Sequence, residues 1–498
     1  MSEKVPLVEV GAESAAAPAA VAETHISVVL FVGSRAYKLC KAVDLGFLDY
    51  STRERRRAAL DRELELNRRF APDVYLGVLD LVDADGEVHD HVLVMRRMPA
   101  ERRLSRLLGG PHAGECLRDV AKAVAAVHAA APRPAAAAEA ARPDAVERNW
   151  RDNEMEMRPH VGAVLDQVTF ERIGEWFRRY LAGRAGLFHT RVRDGHAVDG
   201  HGDLLAEDIF CLDDGPRILD CLAFDDRLRY GDVLADIAFL AMDVERLAGP
   251  SAAAQLLRWY GEFSAEHHPA TLAHHYVAYR AQVRSKIACL RAVQGDEHSR
   301  AVARDHLQLC AAHLDRGRVR LVLVGGPPGT GKSTLAAGLA EATGWTVLRS
   351  DEVRRELAGL GPRADTTAPL GAGLYEPQPV AATYEELGRR AKLLLDRGES
   401  VILDASWGDA DERRRARHVA EAAVADLVEL RVDAPVPVAA ARIAARRAAG
   451  GDPSDVTVEV AAELAGRFVP WPEATTIDAT CPPEDCIGRA LAVSGEGV

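Results

Sequence analysis

The stretch Gly326-Pro327-Pro328-Gly329-Thr330-Gly331-Lys332-Ser333-Thr334 puts glycines, hydroxyls and one lysine into a single short loop. Glycines let consecutive backbone N–H groups turn inward around a polyphosphate. The loop follows an apolar run, Val319 to Val324, and precedes a helical pattern, Leu335 to Glu341. That strand–loop–helix order aims the positive end of a helix at the same phosphates. Lys332 then reaches the outer phosphates, and Ser333 offers its hydroxyl to Mg²⁺. The chemistry this spacing would serve is binding of a polyphosphate with Mg²⁺.

Three further features accompany the loop. Val401-Ile402-Leu403-Asp404 is an apolar strand that ends in a carboxylate, where Asp404 would support the Mg²⁺ shell. Asp351, at the end of the strand that follows the loop's helix, is placed to accept a proton from a substrate hydroxyl. Arg354 and Arg355 follow it and would grip a charged substrate. The bland alternative is an N-cap aspartate on a solvated helix. Arg442 and Arg446 share a helix face at i, i+4, next to Arg447, and suit either a lid that closes on a transferring phosphoryl group or an exposed basic helix.

A second cluster lies earlier, in His201-Gly202-Asp203-Leu204-Leu205-Ala206-Glu207-Asp208, with Ile218-Leu219-Asp220 closing another apolar strand. Three carboxylates converge on one strand–loop–strand block. Asp203 suits a base near a substrate hydroxyl, with Asp208 and Asp220 holding metal. An ionised Asp208 beside Asp203 and Asp220 should raise at least one pKa in the cluster when no metal is bound. A stripe of Tyr276, Arg280 and Arg284 at i, i+4, i+8 offers an anionic-group pocket or, alternatively, a salt-bridged helix. The pairs His267-His268 and His274-His275 read as loop and surface histidines, because adjacent helical residues do not face one another.

The elements around these residues fall into two patterns. Strand-like runs at His25–Val32, Ala36–Lys41, Tyr75–Val82 and His89–Met95 surround a charged helix over 52–70. Helices dominate from Pro99 to about Leu314, with a connecting loop predicted in the Ala- and Pro-rich stretch 130–143. From Val319 onward strands at 319–324, 345–349, 400–404 and 427–432 alternate with helices, which predicts a parallel sheet. The expected organisation is a disordered tail over 1–24, one domain over 25–314 and a second over 318–498.

At 498 residues the chain exceeds one ordinary core. Its 48% hydrophobic and 28% charged content fits a soluble globular protein, and a net charge of −13 argues against nucleic-acid or membrane-surface partners. The eight cysteines form no CxxC pair, so a zinc site is not expected and a reduced, cytoplasmic location is. No apolar stretch reaches membrane-spanning length. The start lacks a basic leader followed by an apolar core, against a secretory signal.

The later region, 318–498, resembles the phosphate-loop kinases with a gluconate-kinase or zeta-toxin-like core. The resemblance is carried by the loop, Ser350-Asp351-x-x-Arg354, Leu403-Asp404-Ala405 and the Arg442–Arg447 segment. It implies that Asp351 binds or deprotonates the acceptor and that the lid arginines contact ATP. The block around Asp203 resembles the catalytic loop of the aminoglycoside-phosphotransferase family, a branch of the protein-kinase-like fold, over about 25–310. That resemblance implies a two-lobed α+β domain, Lys38 as the strand lysine near the inner phosphates (with Lys41 a competitor), Glu63 as its helix partner, and Met95–Met98 as an adenine hinge. It also implies that Asp232 and Asp236 buttress the catalytic loop. Two departures stand out: Asp208 replaces the family's Asn, and the turn over the phosphates has only Gly33. The whole chain resembles bacterial bifunctional fusions of an aminoglycoside phosphotransferase with an α/β P-loop kinase domain. The implied activity is ATP- and Mg²⁺-dependent phosphorylation of a small-molecule hydroxyl. The competing class is a nucleotide-gated regulatory protein with slow ATPase activity.

Overall fold

The computed structural model describes residues 20–46, 48–361, 373–449 and 458–495. Contact density divides the chain into two compact units, Met1–Arg148 with Arg191–His268, and Asn149–Thr190 with Pro269–Val498. This division does not run along the sequence-based boundary at 314–318.

The first unit holds an antiparallel sheet of β1 (Ala20–Glu23), β2 (Ser27–Val32), β3 (Arg35–Cys40), β4 (Tyr75–Val82) and β5 (Val88–Arg96), in the order β1-β2-β3-β5-β4. β1 corrects the reading of 1–24 as wholly disordered. Its residues are all exposed, so no apolar alternation announced it; backbone pairing to the edge of β2 makes the strand. The helix Arg53–Asn67 starts at Thr52, whose hydroxyl accepts from Arg55 N at 3.3 Å. It lays Leu60 in a cluster with Ala36, Cys40, Leu93 and Met95 of the sheet and with Val74 beside it. The helix is otherwise charged, so one apolar stripe docks it and leaves Glu63 facing β3.

Past the sheet, helices Ala113–Ala130, Val233–Ala248 and Pro250–Ser264 form the floor of the unit. Two short ribbons lie on it: β6 (Ala197–Asp199) pairs with β9 (Tyr230–Asp232), and β7 (Ile209–Leu212) with β8 (Gly215–Ile218). The predicted loop over 130–143 contains a helix, Ala135–Ala140. Its alanines follow Pro134, and a run of alanine after proline favours a first helical turn.

In the second unit the helices Ala270–Val293 and Glu297–Arg316 form an antiparallel pair with a buried seam that includes Ala281, Ser285, Ala303 and Cys310. The parallel sheet comprises β10 (Arg320–Gly325), β11 (Thr346–Arg349), β12 (Val401–Asp404), β13 (Asp426–Asp433) and β14 (Thr475–Asp478), in the order β11-β12-β10-β13-β14. β14 was not anticipated, being a four-residue strand with one buried side chain, Ile477. β10 and β12 are buried along their whole length, which is why they read as continuous apolar runs. Val322, Val324, Leu335, Leu339, Ile402 and Leu430 make the core on which the phosphate loop rests. Truncating a fully buried residue such as Leu339 to alanine would cost about 2–5 kcal/mol. Among the described residues no helix is long and apolar enough to cross a membrane.

Candidate functional site

The first unit builds its site on a loop held by one helix. The Asp236 carboxylate accepts from His201 N at 2.6 Å and from Gly202 N at 2.9 Å, and it meets His128 Nε2 at 3.1 Å. Two turns along the same helix, the Asp243 carboxylate accepts from Ala206 N at 3.0 Å. His201 Nε2 lies 3.0 Å from Leu219 O and ties the loop to the end of β8. The segment 201–206 is thus pinned at both ends, with Asp203 half-buried between the anchors. Asp236 buttresses the loop as the resemblance implies. Asp232 instead caps its helix through Leu234 N at 2.8 Å and pairs with buried Arg191. Asp243 was missed; its position seven residues after Asp236 on one helix face was the available signal.

Lys38 projects from β3 to Glu63 at 2.8 Å and lies 3.9 Å from Asp220. Lys41, the competitor for the strand-lysine role, pairs instead with Glu23 of β1. Burial lowers the Lys38 pKa, but Glu63 and Asp220 outweigh it and hold the ammonium above its ordinary value. Burial raises Glu63 against the pull of Lys38; at their separation the charged pair is the form that satisfies both groups. Asp220 sits in the left-handed region at φ 64°, with its N–H donating to Tyr75 Oη at 3.1 Å. Such a backbone costs about 1–3 kcal/mol and concentrates at functional sites. The Asp208 pKa is pushed up to about 7, first by burial and then by Asp220 and Asp203. That is the consequence expected of an aspartate in this crowded position. Among the described residues no three His, Cys, Asp or Glu side chains gather closely enough to cage a metal, so a cation at Asp208 and Asp220 needs further oxygens from its ligand.

The second unit carries the phosphate loop between β10 and the helix Lys332–Thr343. Gly326 has φ 137°, and a Cβ there would lie 2.3 Å from Val432 O. Gly329 has φ 83°, and its Cβ would meet Ala439 O at 2.6 Å. Only glycine fits either position, so the loop's close turn is fixed by sterics. Thr330 Oγ1 and Lys332 Nζ both donate to Pro327 O, at 2.9 and 3.0 Å. Gly331 caps the helix that Lys332, Ser333 and Thr334 open. A cavity of about 450 Å³ beside the loop is lined by Lys332, Ser333, Thr334, Arg442, Ala479 and Cys481 among others. Arg442 is not a free lid: it donates to Thr330 O at 3.0 Å and Ala479 O at 2.8 Å, and so clamps the loop to the end of β14. The side chain of Arg446 lies outside the described residues.

Asp351 opens the helix Ser350–Leu357, and its carboxylate accepts from Arg354 Nη1 at 3.0 Å. Arg355 is only 5% exposed, so it does not stand open to an acceptor as expected. Its position on the inner stripe of this short helix explains the difference. Asp404 is buried at the end of β12, next to Arg349 of β11. Beyond it, Trp407 takes φ 53° and its N–H donates to Tyr384 Oη at 3.3 Å, while that hydroxyl also lies 2.9 Å from Ser406 Oγ. Gly326 N donates to Ser406 O at 3.0 Å, joining this strained corner to the phosphate loop.

The remaining candidates are spread out. Arg280 lies 5.7 Å over the Tyr279 ring, and Arg284 is half-buried on the same helix of the second unit. Tyr276 is buried rather than part of an open pocket. His275 is buried too, and desolvation holds its pKa down to about 3, against the surface position expected for it.

Comparison with known proteins matches these two sets of residues to two families. The model of the "Phosphotransferase enzyme family" matches residues 47–275, and that of an "AAA domain" matches residues 321–471. Uncharacterized protein Rv2004c of Mycobacterium tuberculosis is 43% identical over 475 residues, covering 95% of each chain. An uncharacterized protein of Mycobacterium bovis matches to the same extent.

The chain belongs to this bacterial fusion family.

Members join an aminoglycoside-phosphotransferase-like domain to a P-loop kinase domain, and the fold seen here is that combination. Among solved structures, a choline/ethanolamine kinase family protein from Mesorhizobium loti is 16% identical, with TM-score 0.39, over 60% of this chain and 88% of its own. A gluconokinase from Sinorhizobium meliloti is 18% identical, with TM-score 0.26, over 35% of this chain and 90% of its own.

Proposed function

We propose that this fusion protein is an ATP- and Mg²⁺-dependent phosphotransferase acting on a hydroxyl of a small molecule, with one nucleotide site in each kinase-type domain. The observation that carries the reading is the phosphate loop, where Gly329, a position that no side chain can enter, lines the cavity with Lys332 and Ser333. The residues present fit the groups the family implies. Lys332, which donates to Pro327 O here, is within the loop that would cradle the phosphates. The Ser333 hydroxyl and the buried Asp404 carboxylate are hard oxygen donors of the kind Mg²⁺ takes. In the first unit, burial and then the neighbouring Asp220 and Asp203 raise the Asp208 pKa, and a divalent cation would favour its ionised form.

Bound Mg²⁺ would neutralise phosphate charge and leave the protein to position the reactants. Asp351 would take the acceptor's proton as the acceptor oxygen forms its bond to phosphorus and the bond to the ADP oxygen breaks. Arg354, on Asp351 at 3.0 Å, would orient that carboxylate. In the first unit Asp203 would play the same part, with Lys38, steadied by Glu63, on the inner phosphates.

A second reading is favoured by one observation. With its pKa at about 7, Asp208 is substantially ionised at neutral pH, and an ionised carboxylate can only accept where an Asn amide can donate. The first domain would then bind a ligand and report it, while the second turns ATP over. Labelled ATP and a metabolite mixture, run with wild type, Lys332→Ala and Asp203→Ala, separate the readings. Phosphotransfer by both domains predicts two product sets, each lost with one variant. If no variant changes any product, the proposal fails.

A further inference from the structure

The phosphate-loop site contains a cation of its own. Arg349, the last residue of β11, stands directly across from Asp404 of β12 in the parallel register. Its Nε is 3.4 Å from Asp404 Oδ2, and its Nη2 is 3.4 Å from Ser333 Oγ. These are the same two oxygens that fit Mg²⁺. The Asp404 side chain is only 6% exposed, so its charge needs a partner there. A charge-assisted hydrogen bond draws its atoms to about 2.7–2.9 Å. Arg349 is held more loosely than that, and its buried Nε makes no hydrogen bond. Charge keeps it in place, with little help from geometry. A third contact lies toward solvent, where Nη1 is 3.4 Å from Glu352 Oε1, a carboxylate that is half exposed.

We infer that Arg349 is a tethered cation that shares the Ser333–Asp404 oxygens with Mg²⁺ and moves toward Glu352 when magnesium and nucleotide enter together. This rests on the reading of the loop as a magnesium–nucleotide site. The physical basis is exclusion. Mg²⁺ binds oxygen at about 2.0–2.1 Å and keeps a shell of waters, which a guanidinium in contact with both oxygens would overlap. The buried Asp404 charge is compensated in either state, so the site stays folded without metal. Free Mg²⁺ must displace a covalently attached competitor. Mg²⁺ that arrives with a triphosphate brings extra anionic ligands, and those tip the exchange.

The test is thermal denaturation of the full chain, free of nucleotide, across a Mg²⁺ titration. Wild type is compared with Arg349→Ala, Arg349→Gln and the double variant Arg349→Gln/Asp404→Asn. Metal bound in the first unit shifts all four alike, so the reading is the difference between chains. Both single variants should start with a lower Tm and show a larger Mg²⁺-dependent rise than wild type, the added rise half-saturating at about tenfold lower Mg²⁺ than any contribution of this site in wild type. The double variant should lose that gain. Glu352→Gln should act in the opposite sense and raise the Mg²⁺ needed for binding of a fluorescent ATP analogue. Should Arg349→Ala fail to fold, Arg349→Gln keeps a polar side chain with part of the aliphatic stem, removes the charge, and carries the measurement. Identical Mg²⁺ responses in wild type and both single variants would overturn the inference. Failure of the underlying reading is distinct: wild type and Lys332→Ala would then bind the analogue equally.

Discussion

Asp208 and Asp404 are the same residue type at the same step in two unrelated sites, yet their surroundings are opposite. Asp208 faces two further carboxylates, and its pKa rises to about 7. Asp404 faces a guanidinium across one strand register. The first site holds Asp208 at an electrostatic cost that Lys38, 3.9 Å from Asp220, balances only in part and a bound cation would relieve; the second carries its balance with it. The comparison teaches that a carboxylate proposed to hold metal can be left expectant or be provisionally satisfied, and that the choice would set how the site responds to metal alone. It also separates the two domains experimentally, because a change that unbalances one site leaves the chemistry of the other intact.

The widest separation comes from the phosphate loop. Gly326→Val places a side chain where even a Cβ would sit 2.3 Å from Val432 O, so nucleotide binding in the second unit should vanish. Lys332→Ala keeps the loop's shape and removes one charged donor, which predicts a loss of about 30- to 100-fold in affinity. Calorimetry with an ATP analogue should show stoichiometry falling from two to one in the valine variant. A fall to zero would mean that the first unit holds no nucleotide, and the comparison of two sites would break.

Next in size is Asp236→Ala. This buried carboxylate holds two backbone N–H groups of the loop that carries Asp203. Leaving those donors unsatisfied should cost about 3 kcal/mol and lower the Tm of the unit that contains them. Products that depend on Asp203 should disappear, while analogue binding that depends on Lys332 persists. Retention of Asp203-dependent product would show that the loop keeps its shape without the anchor.

These two anchors differ in how they announce themselves. The glycine loop was legible residue by residue because sterics at Gly326 and Gly329 restrict the choice of amino acid, and a restricted choice leaves a pattern. The strands β10 and β12 were legible for a similar reason: burial on both faces forces apolar runs. Lys38, Glu63 and Asp236 came through resemblance, since a lysine on a strand and an aspartate on a helix have no local signature. Arg349 and Asp243 were missed altogether. Each acts on a residue far away in sequence, Asp404 and Ala206, and the pairing exists only once strand register or helix docking is set. β1 was lost because its exposed residues carry no alternation, and Arg355 was misjudged because a helix of eight residues gives too short a stripe to tell its inner face.

The finest discrimination between the sites is a pH dependence. The folded pKa of Asp208 is raised from its ordinary value of 3.8 to about 7, so the folded chain holds a proton that the unfolded chain releases. In metal-free protein that favours folding at low pH, and the advantage is lost as pH rises from about 4 through 7. Above 7 the ionised carboxylate stands among its neighbours at full cost. Asp208→Asn removes the cost without changing the side chain's shape. Its Tm should match wild type near pH 4 and exceed it by several degrees at pH 8 in the presence of chelator. Added Mg²⁺ should shrink that gap, because metal stabilises the aspartate form more than the amide. The converse substitution, Asp404→Asn, should lower the Tm at pH 8, since it strands Arg349 beside a neutral group. Two variants with the same chemical change would thus move stability in opposite directions, and equal signs would remove the distinction between an expectant and a satisfied carboxylate.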